Sequence, residues 1–188
     1  MKKILMLILA VILVVAISVG ATLAYLTDTE AVVNTFTVGK VDIDLTETGA
    51  TSLDDINWEK SYTGIIPGQT YEKDPSVTVI ANSEDCFVYV KVINGLSSIE
   101  AANNNIAAQI ADNGWSVLPG VANVYYKQVA KSTTDTILPV FNTFSVSETA
   151  GNAEMAACEG EKIIVTAYAI QSENFADANA AWTAGSFA

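Results

Sequence analysis

The stretches "SVTVIANS" (76–83) and "DCFVYVKVIN" (85–94) most constrain the fold of this chain. Both are dense in β-branched and aromatic residues, which is the composition of strands rather than helices. Similar segments follow: Val41, Ile43 and Leu45 alternating with Asp42 and Asp44, then "DTILPVFNTFSVS" (135–147) and "EKIIVTAYAIQ" (161–171). Phe36 and Val38 alternate with Thr35 and Thr37, and the phase slips at Gly39-Lys40, as at a bulge. "GWSVLPGVANVYYKQVA" (114–130) reads as a hairpin turning at Pro119-Gly120. Pro139 places its strand at a sheet edge or at an interruption. Two segments depart from this period. "SSIEAANNNIAAQIADNG" (97–114) sets Ile99, Ala102, Ile106 and Ile110 on one helical face and stops at Asn113-Gly114. "ENFADANAAWTAG" (173–185) sets Phe175, Ala178 and Trp182 within reach of one face. Seven or eight strands, two short helices and no βαβ alternation predict an all-β fold, a jelly-roll-like antiparallel β-sandwich.

The N-terminus has a different character. Lys2 and Lys3 precede an uncharged run from Ile4 to Ala21, and small residues follow at Thr22 and Ala24. This is the layout of a secretory signal peptide, cut between Ala24 and Tyr25. The run approaches the roughly 20 residues that span a bilayer, so an uncleaved anchor is the competing reading; the small and then acidic residues after it favour cleavage. No Cys follows the leader, and Leu138-Pro139-Val140-Phe141-Asn142 departs from a sorting signal at its last positions. The expected organisation is a signal peptide over 1–24 and one β-sandwich domain over 25–188, released from the membrane once the leader is removed.

The charge balance narrows the partners. Nine Lys and Arg face 21 Asp and Glu. Both basic residues of the leader are lost on cleavage, so seven oppose the same 21 acids, a net charge near −14. Such a surface repels phosphate backbones, which excludes nucleic acid, and disfavours anionic lipid. There is no histidine. HExxH zinc helices, Ser-His-Asp triads and Cys-His pairs are therefore absent from the chain. GxGxxG and P-loop motifs are missing too, and no cofactor is expected. A carboxylate pair acting as in glycosidases is not excluded by spacing, but nothing singles one out among 21 acids. Asp42 and Asp44, with Asp54-Asp55 after them, supply oxygens of the kind calcium takes, without EF-hand spacing; a solvated strand face is the simpler reading. Trp58, Trp115 and Trp182 would suit a sugar platform or, more commonly, core and rim packing. Cys86 and Cys158 would form one disulfide after export, or remain two buried thiols; both readings stand at this point.

The segment "ATLAYLTDTEAVVNTFTVGKVDIDLTE" (21–47) resembles the start of the TasA/camelysin family, exported substrates of the specialised signal peptidase SipW. The likeness lies in the small-x-Ala step, in Tyr25, Leu26 and Asp28, and in "NTFTVGKVDIDL". It extends to "IIPGQTYEKDPSVTVIANSEDCFVYVKV" (65–92) and more weakly to "IIVTAYAIQSENF" (163–175). The resemblance implies a jelly-roll domain secreted to the bacterial cell surface or matrix, where TasA builds biofilm fibres by adding an N-terminal segment as a strand to the next subunit. Its partners would be further copies of itself or a related fibre subunit, and SipW before export. Camelysin is classed as a metallopeptidase, and this chain departs from any histidine-based zinc site. A surface adhesin or glycan-binding module is a third reading, because jelly rolls often bind sugars.

Strand donation has a physical basis. An open sandwich leaves edge N–H and C=O groups unpaired, and an extended peptide can satisfy them while its alternate side chains fill pockets. Residues 25–36 would span about 40 Å when extended. Tyr25, Leu26, Val32, Val33 and Phe36 are the apolar side chains such a donor would offer. A head-to-tail contact of this kind does not close on itself and makes a filament. N-terminal sequencing of the exported protein is expected to begin at Tyr25; recovery of a membrane-bound form retaining Lys2 and Lys3 would establish an anchor instead.

Overall fold

The computed structural model describes residues 40–52, 58–59, 62 and 64–187, all within one compact unit, Val38–Ala188. In chain order the strands are β1 (Ile43–Thr46), β2 (Thr51–Ser52), β3 (Trp58–Glu59), β4 (Thr70–Glu72), β5 (Ser76–Val79), β6 (Cys86–Asn94), β7 (Ser116–Val117), β8 (Val124–Val129), β9 (Thr136–Pro139), β10 (Thr143–Ser145) and β11 (Ile163–Gln171). The α-helices are α1 (Ile106–Asp112), α2 (Asn152–Ala157) and α3 (Ala178–Gly185). One sheet runs β11-β6-β8-β7, a second β1-β5-β9, and the pairs β10-β4 and β2-β3 complete the set; all pairings are antiparallel. The expected all-β sandwich is the fold observed.

Two sets of side chains along β6 organise the interior. Cys86, Val88, Val90 and Val92 are buried in the main core with Val77 and Val79 of β5, Leu138 of β9 and Phe144 of β10. Val41, Ile43 and Leu45 pack against the same core, as their alternation predicted. Phe87 and Tyr89 point the other way, into a second cluster with Val124 of β8 and Ala178 and Ala181 of α3. The registers carry this division across the sheet. Val90 stands between Ala167 and Tyr125 on the core face, and Tyr89 between Tyr168 and Tyr126 on the outer face. Ala178 and Trp182 of α3 join the outer cluster, and Phe175, which precedes the helix, packs there too. The Tyr89 hydroxyl donates to the Ala178 carbonyl at 2.7 Å, and its ring lies 5.1 Å from that of Trp182, fixing α3 on the sheet. Asp177 caps the helix by accepting from Ala180 N.

The segment 97–114 is broken where the sequence predicts one helical face. Two 3-10 turns, Ser97–Ile99 and Ala102–Asn104, precede α1. Ile99, Ile106 and Ile110 are buried as expected, but Ala102 is exposed. Glu100 and Ala101 are extended because the backbone there bonds across to another strand: Glu100 bridges Val146, and Ala101 N donates to Ser145 O at 2.8 Å. Sheet pairing thus outweighs helical spacing. Helix α1 is then clipped to β10 by Gln109, whose Oε1 accepts from Asn142 N and Thr143 N at 3.1 Å each while its Nε2 donates to Thr143 O at 2.9 Å. The helix ends at Asn113, and Gly114 takes the left-handed φ of 79°, matching the expected stop. The hairpin at Pro119-Gly120 also forms as expected, with Leu118 N bonded to Val124 O at 2.9 Å. Pro139 ends the edge strand β9, and the chain passes through the fully buried Val140 and Phe141 into β10, in a different sheet. Helix α2 and strand β4 have no counterpart in the period-two reading. Replacing Gln109 with Ala should cost about 2 kcal/mol, since two strand N–H groups lose their acceptor at once; a urea melt would register it as a lower midpoint with an unchanged slope.

Candidate assembly surface

The expected cleavage residues Ala24 and Tyr25 and the donor residues Leu26, Val32, Val33 and Phe36 lie outside the described residues. Other candidates are placed. Cys86 and Cys158 are both buried and stand as separate thiols. Cys86 opens β6, whereas the Cys158 sulfur lies 3.2 Å from the Ser98 hydroxyl, past the far end of that strand. Eight residue steps of β6 put about 26 Å between those ends, far beyond the reach of a disulfide. Burial, helped by the charge of Asp85, pushes the Cys86 thiol up to about 11, so it is a neutral core side chain at ordinary pH.

Asp44 is exposed, and Asp42 pairs with Lys40 at 2.6 Å. Among the described residues no three of the ligand types His, Cys, Asp and Glu converge as a metal set. Asp54 and Asp55 lie outside the described residues. Trp115 is buried and donates to Pro139 O at 2.8 Å, under the ammonium of Lys127, and Trp182 packs against Tyr89, Tyr168 and Phe187. These two rings face inward rather than forming a flat sugar platform. The side chain of Trp58 lies outside the description. Glu84, Asp85, Gln171, Ser172 and Glu173 line an open polar depression, in which Lys131 pairs with Glu84 at 2.7 Å.

The sheet edges differ sharply in how they present their backbone. At one edge of the second sheet, β1 is four residues long and carries Asp44, with the Lys40–Asp42 pair just before it. At the other, β9 ends on Pro139. Strand β7 closes its side of the larger sheet with two residues. Short length, charge and proline are the usual devices that discourage a further strand. Strand β11 has none of them. Its nine residues, "IIVTAYAIQ", contain no charge, proline or glycine, and among the described residues it pairs with β6 alone.

The register shows which groups point to that open side. Gly95 N donates to Lys162 O at 3.0 Å, and Ser172 N to Asp85 O at 2.8 Å. Residues 162 and 172 therefore exchange bonds with β6, and in an antiparallel ladder so do the even positions between them. The N–H and C=O groups of Ile163, Val165, Ala167, Ala169 and Gln171 point away from β6. The side chains of Ile163, Val165, Ala167 and Ala169 lie partly buried at the rim of the main core. Ile164 and Ile93, directly opposed on the outer face, are 48% and 44% exposed, so this end of the face is apolar and uncovered. The edge at β11 was not singled out from the sequence; its signal is the ten-residue uncharged run between Lys162 and Glu173.

Comparison with known proteins bears on the other end of the chain. The profile of a family described as camelysin metallo-endopeptidase matches residues 1–73, which supports the resemblance of the leader and first elements to the TasA/camelysin family. No curated protein and no solved structure matches the chain. Thiol titration of the unfolded protein, without reductant, is expected to find two free thiols per chain; finding none, with a mass lower by two hydrogens, would restore the disulfide.

Proposed function

We propose that the chain is a secreted structural protein of the cell surface or biofilm matrix, and that it assembles into fibres by N-terminal strand donation. The observation that carries this reading is a juxtaposition. A β-prone, half-apolar segment begins directly at the end of an export leader, and the sandwich behind it keeps a long edge without the features that block strand addition. The profile match spans the leader and the donor segment, which supports export by the route that camelysin-like proteins use. The donor is the segment 25–36, with Tyr25, Leu26, Val32, Val33 and Phe36 as its pocket-filling side chains. The partner is a second copy, or a related fibre subunit, and signal peptidase SipW acts before assembly. The peptidase activity in the matched family's description is not carried over to this chain, because without histidine it cannot build a histidine-ligated zinc site.

Deleting residues 25–36 should leave a soluble folded monomer, since the core strands begin after them. Val33→Asp or Phe36→Asp should weaken polymerisation without unfolding the domain, because a charge in a strand-accepting groove is costly unless paired. Assembly should improve at acid pH or high salt, where the acidic surface is neutralised or screened. Light scattering and negative-stain microscopy across pH would read all three effects. Filaments of unchanged form from the truncated chain would rule out the segment as donor.

A further inference from the structure

We propose that Lys73 and Glu47 condense into an amide, an intramolecular cross-link that the folded chain forms by itself. The cross-link does not depend on strand donation. It follows from a contrast among ion pairs. Lys40–Asp42 and Lys131–Glu84 are wet, with side chains 77% and 48%, and 52% and 39%, exposed. The side chains of Lys73 and Glu47 meet at 2.8 Å and are only 9% and 12% exposed. Among the described residues Lys73 is the one buried lysine. Holding two full charges out of water is costly even when they touch, and a neutral group of the same bulk relieves that cost. An amide between the two is such a group.

The backbone holds both side chains in place. Glu47 follows β1 and Lys73 follows β4, just past the end of the β1–β5 ladder, where Thr46 pairs with Ser76. Thr48 N donates to Asp74 Oδ1 at 3.1 Å, tying the neighbour of one reacting residue to the neighbour of the other. Lys73 N donates to Asn142 O at 3.1 Å. Groups fixed at contact distance react as though at effective concentrations of about 10⁵–10⁸ M, which favours the amide over the free pair. Exclusion of water slows the reverse reaction. Tyr62 supplies a third group. Its hydroxyl lies 3.4 Å from Glu47 Oε1 and donates to the Glu72 carbonyl at 2.6 Å, and its ring meets Tyr71 edge-on with centroids 6.0 Å apart. Burial, with the Glu47 carboxylate beside it, holds this hydroxyl well above the ordinary tyrosine range, so it stays a donor.

The reaction balances within the pair. One ammonium proton passes from Lys73 Nζ to Glu47 Oε2. The freed lone pair attacks Cδ and forms the Nζ–Cδ bond, while Tyr62 donates to Oε1 as negative charge collects there. A second proton leaves Nζ for Oε2, the Cδ–Oε2 bond breaks, and Oε2 departs as water. Nothing is oxidised or reduced. The product is a neutral amide that joins the end of β1 to the end of β4, elements of two different sheets. It closes the chain from Glu47 to Lys73 into a ring, and a ring of this kind limits the freedom of the unfolded chain.

The test is a peptide map of the mature protein, held folded and then unfolded for digestion, and it needs no variant. Trypsin cuts the unlinked chain after Lys40, Lys60, Lys73 and Lys91, giving 41–60, 61–73 and 74–91. The cross-linked chain should instead yield 41–60 joined to 61–91, lighter by one water than the two together. Lys73→Met keeps a side chain of similar length without the nucleophile, and should show neither the joined product nor the lost water. Refolded parent should gain the link at a rate independent of protein concentration, and Tyr62→Phe should slow that rate by roughly tenfold or more. Free 61–73 and 74–91 in full yield from parent held folded overturn the cross-link. A lost water that persists in Lys73→Met puts the condensation elsewhere and overturns it too. A parent-like rate in Tyr62→Phe overturns the part given to the hydroxyl.

Discussion

Strand β6 is buried on both faces, and the rest of the sandwich is arranged around that requirement. A strand with one wet face alternates apolar and polar residues; "CFVYVKVIN" is apolar at almost every position, so each face needs its own cover. The β1-β5-β9 sheet and α1 cover the Val88, Val90 and Val92 face, and α3 covers Phe87 and Tyr89. The C-terminal helix is therefore part of the fold's hydrophobic accounting. Without it the Tyr89 ring, which is fully buried, would meet water. The cover is incomplete at one end, where Ile93 and its partner Ile164 remain exposed beside the open side of β11.

The central position of β6 also explains why its neighbours differ so much in character. On one side β8 is itself paired again, by β7, and carries the large Tyr125 and Tyr126. On the other, β11 supplies Val165, Ala167 and Ala169 to the core and is the last strand of the sheet among the described residues. A core that thins to alanine at an edge is well suited to be finished from outside, whereas one that ends on bulky side chains is already closed. Edge chemistry and core packing thus point to the same side of the molecule by independent routes.

Much of this was legible in the sequence, and the parts that were not share a cause. The β-branched and aromatic runs at 76–79, 86–94 and 163–171 appear as strands because each packs against a covering layer, and such side chains suit a packed sheet face. Pro139 was read correctly because a missing N–H is a local fact. The break at Glu100-Ala101 was hidden, since its cause is a bond to Val146 and a bond to Ser145, more than forty residues away. Helix α2 was missed because its six residues have too few apolar positions to show a period; its start is marked by Glu154, whose carboxylate accepts from Gly151 N at 2.7 Å. The separation of the two cysteines was illegible for the same reason as the break at Glu100. Cys158 stands next to Ser98 through tertiary packing, and nothing near it in sequence encodes that neighbour. The edge at β11 was half legible: the uncharged run was visible, but which of its backbone groups point away from β6 follows only from the register.

The charge of the chain gives this edge its meaning. With 21 acids against nine basic residues, side-chain contacts between copies start from repulsion, and a filament held by surface ion pairs would work against its own field. Main-chain hydrogen bonds escape that difficulty. They carry no net charge, they are nearly independent of side-chain identity, and in a strand they repeat at every second residue. An interface built from them requires only that both strands be uncharged and that the accepting one be unprotected. Strand β11 meets the first condition over all nine of its residues. A contact between copies built on main-chain bonds would therefore be opposed less by this charge than one built on side-chain ion pairs.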